Sequence, residues 1–207
     1  MGEAKNLLAS VVIENLNHQC DLTGCKELVA YQGLEEHKEK CDYRLVICPG
    51  QPSCNAMVPF CEIDSHATHC SGYSNWTPDQ NQTHMRFTFP VSLVDKDIGW
   101  KTHVIHSDNE VFFFCMKSSG ACIDMQVLMK GDQKKCDKFT ATISLLNSKL
   151  KPVLFSSFNP LPLASTNDDE PHLLVRKKSL AKIWEETEAG KYGFKVRVTV
   201  AKDLIDD

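Results

Sequence analysis

Eight cysteine and histidine residues recur in register within the first seventy positions of the 207-residue chain. They are Cys20, Cys25, His37 and Cys41, followed by Cys48, Cys54, His66 and Cys70. The first cysteines of the two sets are 28 residues apart and the other three pairs are 29 apart, which indicates a tandem duplication. Thiolates and imidazoles are preferred ligands of zinc, and four of them close a tetrahedral site without an open position for a catalytic water. The pattern therefore predicts two structural zinc ions.

The spacing within each unit indicates how the chain would position these ligands. Four or five residues separate the first two cysteines, so a turn or hairpin can bring their thiolates together. The histidine and the last cysteine are four positions apart, and on a helix such residues share one face. We therefore predict helical segments at Leu34–Glu39 and Ile63–Ala67. They lie in a tandem zinc-finger region at residues 18–72, preceded by an N-terminal helix or linker at residues 1–17.

Three further residues near the fingers do not repeat. Cys61, His69 and His18 have no counterpart in the other unit, which favours spare residues over metal ligands. Competition between His69 and Cys70 for the metal stays open as an alternative.

Composition and targeting signals bear on the cellular compartment. The chain is 42% hydrophobic and 24% charged, as in ordinary soluble domains. Its ten cysteines, with glycosylation sequons at Asn75 and Asn81, would also suit five disulfides in a secreted protein. The apolar stretch at residues 7–13 is too short to span a bilayer, and no small-residue cleavage site follows it. We therefore expect a cytoplasmic protein, with the nucleus as an open alternative.

After the fingers, the hydrophobic pattern switches to the two-residue period of β-strands. Alternating or apolar runs lie at Phe87–Val91, 102–106, 110–116, 123–130, Phe139–Leu145, 152–158, 172–176 and Tyr192–Val200. One helix is predicted at Ser179–Glu186 and one long loop at Asn159–Pro171. Parallel strands would need a long crossover between each pair, and the sequence has no room for several of them. We predict a mainly β protein, with an antiparallel β-sandwich of about eight strands at residues 73–207.

No catalytic constellation can be identified in this β-rich half. A nucleophilic pair of Cys115 and His103 stays open, although thiols on strands are more often buried and unreactive. Residues 1–75 carry five basic and ten acidic side chains, a net charge of −5, and the remainder carries +1. Nucleic-acid affinity depends on Lys and Arg contacts to phosphate, so the acidic finger half argues against that partner. We expect proteins or peptides as partners, with neither nucleic acid nor membrane.

Several segments of the chain resemble the seven in absentia (SINA/SIAH) family of RING-type ubiquitin ligases. They are the finger linker Cys41–Pro49, the strands Ile123–Leu128 and Phe139–Leu145, and the C-terminal segments Leu174–Val175 and Ser179–Trp184. The resemblance implies paired SIAH-type zinc fingers and a TRAF-like sandwich that binds substrates, forms a homodimer and acts in the ubiquitin–proteasome pathway. The RING of the family has no counterpart before Cys20, so we expect no ligase activity from these residues alone. A RING ligase of the same family is then an expected partner.

A TRAF-type signalling adaptor, not linked to degradation, is the alternative function. Such adaptors use the same sandwich architecture but normally trimerise through a coiled coil ahead of it. No heptad run precedes Phe87 in this sequence, which favours the substrate-recognition module.

The resemblance also implies a site for extended peptides with a Val-x-Pro core. Such a peptide lies alongside an edge strand, where main-chain hydrogen bonds provide affinity and side-chain pockets provide specificity. The receiving strand would begin at Trp100, with Thr102 and Val104 facing the ligand and Tyr73 and Trp76 flanking it. The alternative is that Trp100 and Val104 are ordinary core residues, because alternation alone does not distinguish a groove from a core.

Overall fold

A computed structural model describes residues 16–50, 53–76, 85–90, 97–147, 149–163, 173–180, 185–186 and 192–203. In these residues the protein is mainly β. The strands are β1 (Asn17–Gln19), β2 (Leu28–Ala30), β3 (Leu45–Ile47), β4 (Met57–Pro59), β5 (Tyr73–Trp76), β6 (Met85–Pro90), β7 (Ile98–Ser107), β8 (Glu110–Ser119), β9 (Cys122–Met129), β10 (Phe139–Leu146), β11 (Pro152–Phe158), β12 (Leu161–Pro162), β13 (Leu173–Arg176), β14 (Glu185–Glu186) and β15 (Tyr192–Lys202). The α-helices are α1 (Leu34–Lys40), α2 (Ile63–His69), α3 (Gln133–Cys136) and α4 (Lys177–Leu180), with 3-10 turns at Tyr31–Gly33 and Phe60–Glu62. No helix in the described part of the chain is long and apolar enough to cross a membrane.

The duplicated units share one local architecture. In the first finger, β1 and β2 form an antiparallel hairpin that leads through a 3-10 turn into α1. In the second finger, β3 and β4 form the equivalent hairpin before α2. The two helices predicted from the ligand spacing are thus confirmed. Of the helix or linker predicted at residues 1–17, residues 1–15 lie outside the described part of the chain.

Two larger sheets hold the described strands from β5 onward. One has five strands in the order β11-β10-β15-β14, with β6 also paired to β15. The other has six in the order β12-β9-β8-β7-β5, with β13 also paired to β9. The neighbours are antiparallel except β5 with β7 and β12 with β9, where the antiparallel prediction does not hold. Neither short strand is joined to its partner by a hairpin, because β5 follows the helix of the second finger and β12 follows β11 of the other sheet.

The largest apolar core is shared by the two sheets. Phe112 and Phe114 of β8 lie in one buried cluster with Ile143 of β10 and Val196 of β15. The Phe112 ring meets Phe139 edge-on, with ring centroids 5.4 Å apart. As the alternation predicted, each of these strands turns one side of its residues into the cluster.

Strand β8 departs from simple alternation because both of its faces are covered. Phe112, Phe114 and Met116 belong to the core that both sheets share, while Phe113 and Cys115 belong to a second buried cluster on the other face of the strand. That second cluster includes residues of the second finger. The continuous apolar run of this strand therefore marks burial on both faces.

Two local predictions are wrong in part. The helix predicted at Ser179–Glu186 ends earlier, because Glu185 and Glu186 pair with β15 as strand β14, and residues 181–184 are outside the described part. Within the loop predicted at Asn159–Pro171, strand β12 pairs with β9. Strands of two residues have no periodicity that a sequence could reveal.

Candidate metal centres

The structure brings the eight predicted ligands into two separate groups of four. The first group is Cys20, Cys25, His37 and Cys41, and the second is Cys48, Cys54, His66 and Cys70. Within each group, the four ligand atoms all lie within 4.8 Å of one another. In both fingers the hairpin loop supplies two thiols, the helix supplies the imidazole, and the residue after the helix supplies the last thiol.

The separations of the ligand atoms fit a tetrahedral zinc site. In the second group, Cys48 Sγ is 3.8 Å from Cys70 Sγ and 3.3 Å from His66 Nε2. Cys54 Sγ is 3.6 Å from the same nitrogen. In a tetrahedral site, zinc bonds of about 2.3 Å to sulfur and about 2.0 Å to nitrogen place two sulfurs about 3.8 Å apart and a sulfur and a nitrogen about 3.5 Å apart. Each group is therefore arranged to hold one zinc ion, with all four positions filled by protein.

The last cysteine of each group lies just beyond its helix. Cys41 and Cys70 follow α1 and α2 in extended conformation, with ψ of 135° and 123°. The prediction that they share a helix face with the histidine is wrong in this detail. A chain that leaves the helix at this residue can turn its thiol back toward the hairpin, as four ligands around one point require.

Backbone amides at equivalent positions of the two fingers support the thiolate form. The N–H of Glu27 donates to Cys25 and holds the pKa of that thiol below its ordinary value. The N–H of Ala56 has the same effect on the pKa of Cys54. Burial acts in the opposite direction on Cys41, raising its pKa to about 11. Since the thiolate is the form that binds metal, the amide contacts favour binding at the hairpin loop of each finger.

Glu27 is a functional residue of the first site that the ligand pattern did not reveal. His37 Nε2 lies 3.5 Å from Cys25 Sγ, inside the ligand group, while His37 Nδ1 lies 3.2 Å from Glu27 Oε2. A carboxylate that accepts the second ring N–H fixes the tautomer and orientation of a metal-binding histidine. The equivalent position of the second finger is Ala56, so this carboxylate belongs to the first site alone.

We expect Glu27→Ala to weaken zinc binding at the first site about tenfold, because His37 loses the partner that orients it. Competition with a chromophoric chelator, with the two ions resolved by their release kinetics, measures this change. Glu39→Ala removes a nearby exposed carboxylate from the same finger and is the matched control. Equal effects of the two substitutions would assign the change to net charge rather than to orientation of the histidine.

The non-repeating residues lie outside both ligand groups. His69 Nδ1 is 3.0 Å from Ser65 O within α2, and the His18 ring packs against Tyr31 at 5.3 Å. Cys61 donates its backbone N–H to the carbonyl of Asp42, in the linker between the fingers. All ten cysteines are free of disulfide bonds, so the six ligand cysteines are available to bind zinc as thiolates.

The second finger lies against the outer face of the six-stranded sheet. Its apolar residues Val46, Val58, Phe60, Ile63 and Ala67 form one buried cluster with Val104, Phe113, Cys115 and Leu163 of the sheet region. Val46 and Val58 are paired across the finger hairpin, so both turn the same side of it toward the sheet. The apolar residues of this finger are thus buried with those of the sheet rather than in a separate core.

Polar contacts reinforce this docking beside the second metal site. Lys130 Nζ, at the end of β9, donates to the carbonyl of Cys61 at 3.1 Å and pairs with Asp64 Oδ2 at 2.7 Å. Thr102 Oγ1 of β7 donates to the carbonyl of Pro49, the residue after the ligand Cys48. The contacts therefore reach the finger on both the hairpin and the helix side of its ligand group.

The docked second finger covers some of the residues that were predicted to bind a peptide. Thr102 and Val104 are 4% and 0% exposed and face the second finger, so neither side chain faces a ligand as predicted. Trp100 is partly buried against the same cluster, and Lys117 Nζ lies 5.5 Å from its ring centroid. The alternating pattern correctly predicted that Thr102 and Val104 share one face of β7. It could not show that the second finger covers this face.

Tyr73 and Trp76, which were predicted to flank the peptide, are the two ends of strand β5. This strand pairs in parallel with β7, from Tyr73 opposite Thr102 to Trp76 opposite Ile105. Along these residues the edge of β7 is occupied by the chain itself. In the described part of the sheet, the terminal strand on this side is β5 rather than β7.

Cys115 and His103 do not form a nucleophilic pair. In the register of β7 and β8, Thr102 lies opposite Cys115 and His103 lies opposite Phe114, so the two side chains emerge on opposite faces of the sheet. Burial raises the pKa of Cys115 to about 12, which keeps it a neutral thiol.

His103 instead lies among aromatic rings of both sheets. Its ring centroid is 4.1 Å from that of Phe87 and 6.2 Å from that of Phe114. Its Nδ1 is buried and has no hydrogen-bond partner among the described residues. Burial lowers the pKa of His103 to about 4, because an imidazolium in this place would lose its hydration.

We expect His103 to make the fold sensitive to acid. An unfolded histidine has a pKa of about 6.5, so between that pH and about 4 the unfolded state binds a proton that the folded state does not. The free energy of unfolding should therefore fall over this window, by at most about 3 kcal/mol from this residue. Urea unfolding of the wild type and His103→Phe at several pH values, with zinc content checked at each, measures the difference. Parallel pH curves for the two proteins would contradict this assignment.

A scan against models of known protein families found no match to the chain, and a search of curated proteins found no significant similarity.

Proposed function

We propose that the chain is a zinc-stabilised substrate-recognition module of the seven in absentia type, which binds extended peptides of target or adaptor proteins in the ubiquitin–proteasome pathway. The observation that carries the proposal is the pair of closed four-ligand sites, one of them docked on a β-sheet. Four protein ligands leave a zinc ion no open position for substrate, so the metal has a structural role and the function depends on a protein surface. The β-rich region is then the TRAF-like sandwich, and RING activity would come from a partner.

The terminal strand β5 supports peptide binding by strand addition. An edge strand presents main-chain groups to a further extended segment, and Tyr73 and Trp76 mark its two ends. Pairing of β5 with β7 begins at Thr102, so the backbone of Trp100 lies beyond the paired residues. We therefore place the Val-x-Pro peptide along β5 and toward Trp100, and not on the buried side chains of Thr102 and Val104.

Fluorescence anisotropy with a labelled Val-x-Pro peptide tests this function. The wild type should bind it with micromolar affinity, and a peptide of the same sequence with N-methylated backbone amides should not bind, because strand addition needs those donors. Trp76→Ala should weaken binding while leaving the zinc content at two equivalents. Absence of binding by the wild type at high micromolar concentration would remove peptide recognition from the proposal.

Two further measurements separate this function from that of a TRAF-type adaptor. Light scattering should give a dimer for the substrate-recognition module and a trimer for the adaptor. Affinity capture should recover a RING ligase with the first and receptor tails with the second. A ubiquitination assay with purified activating and conjugating enzymes should show no ligase activity of the chain alone.

A further inference from the structure

The two fingers bury their equivalent faces to very different extents. In the second finger, Phe60 is 5% exposed and Ile63 is fully buried against the sheet. The equivalent residues of the first finger are Tyr31, which is 49% exposed, and Leu34, which is partly buried. The buried cluster of the first finger consists, among the described residues, of three ligand cysteines with Leu22 packed against them. The duplication has thus produced one finger that covers the sheet and one that does not.

The covering finger depends on its ligands for its shape. Its hairpin and its helix each contribute apolar residues to the shared cluster. The ligands Cys48, Cys54, His66 and Cys70 bring the hairpin loop and the helix together around one point. Small metal-binding units of this size form their structure with the metal and lose it without. The carbonyl that accepts from Thr102 adjoins Cys48, so this contact also needs the ligand loop in place.

We infer that the second ligand group is a metal-dependent latch: when loaded it holds its finger on the six-stranded sheet, and when emptied it uncovers an apolar face of that sheet. The first ligand group has no such effect, because none of the described residues of its finger belongs to the buried cluster on that face. This inference goes beyond the proposed function and does not depend on the ubiquitin pathway. It predicts that the two sites respond differently to chelators or oxidants, with only the second changing the accessible surface of the β-rich region.

Two buried cysteines provide site-resolved reporters of this opening. Cys115 is 2% exposed and lies under the second finger, whereas Cys136 is fully buried in the core between the sheets. Uncovering the outer face exposes the first thiol and leaves the second protected. Unfolding of the whole region exposes both.

The matched variants are Cys54→Ser and Cys25→Ser, which remove the equivalent ligand from each group. After a short pulse of iodoacetamide, mass spectrometry should show at least a tenfold faster modification of Cys115 in Cys54→Ser than in the wild type, with Cys136 unchanged. In Cys25→Ser, both thiols should stay as protected as in the wild type. Equal modification of Cys115 in the two variants would overturn the inference, and so would simultaneous modification of Cys115 and Cys136 in Cys54→Ser.

A second variant tests the same latch in a protein with all ligands intact. Coupling between two events is reciprocal, so weaker docking must weaken zinc binding at the second site by the same factor. Lys130→Met removes the contacts to Cys61 and Asp64 while keeping a side chain of similar length. In competition with a chelator at equilibrium, the zinc affinity of the second site alone should fall several-fold, while the exposed control Lys134→Met leaves both affinities unchanged. Unchanged or equally weakened affinity at both sites in Lys130→Met would overturn the latch.

Discussion

The purified protein is expected to contain two equivalents of zinc, and removal of both ions should unfold the two fingers. The ligand atoms of each group already lie within 4.8 Å of one another, and neither finger has an apolar core of its own large enough to replace the metal. Structural zinc contributes on the order of 10 kcal/mol to small units of this kind, which is as much as the stability of a whole domain. Chelation should therefore abolish the helical signal of α1 and α2 in circular dichroism, and re-addition of zinc should restore it.

Metal analysis of the folded protein decides the stoichiometry. Cys61→Ser should keep two equivalents, because Cys61 lies outside both ligand groups. Cys41→Ser should lose the first ion selectively. Fewer than two equivalents in fully folded wild-type protein would contradict the assignment of eight ligands.

The metal sites could be predicted from the sequence because four ligand residues recur together at nearly fixed spacing. A single cysteine or histidine has many explanations, but Cys20 and its three partners recur as a set one repeat later. The fixed separation of His37 and Cys41 also placed α1 correctly, because ligand geometry constrains the local chain. The outer partner Glu27 left no such mark, since a carboxylate on a finger surface is common in any sequence.

The docking of the second finger could not be predicted from the sequence. It depends on an apolar face of the finger and an apolar face of the sheet, and neither pattern alone indicates that the two meet. Val58 and Phe60 look like ordinary hairpin and helix residues, and Thr102 and Val104 look like one face of a strand. Alternation identifies which residues share a face, but not which element covers it. The one available signal was the unbroken apolar run of β8, which is typical of a strand buried on both sides. The sequence did not show that the second finger is the element that covers the second face of β8.

Phe113→Ala is expected to destabilise the protein by about 3 to 5 kcal/mol, the usual cost of removing a fully buried phenylalanine ring. Phe113 is 0% exposed in the cluster shared by β8 and the second finger, so the substitution leaves a cavity at their contact. Urea unfolding at constant zinc concentration measures the loss.

Phe155→Ala is the control, because that ring is 66% exposed on the terminal strand β11 and its removal should change stability by no more than about 0.5 kcal/mol. If the two substitutions cost the same, the outer face of the sheet is not packed as the structure has it. A large loss for Phe113→Ala alone would establish that this ring is packed in the cluster that the second finger shares with the sheet.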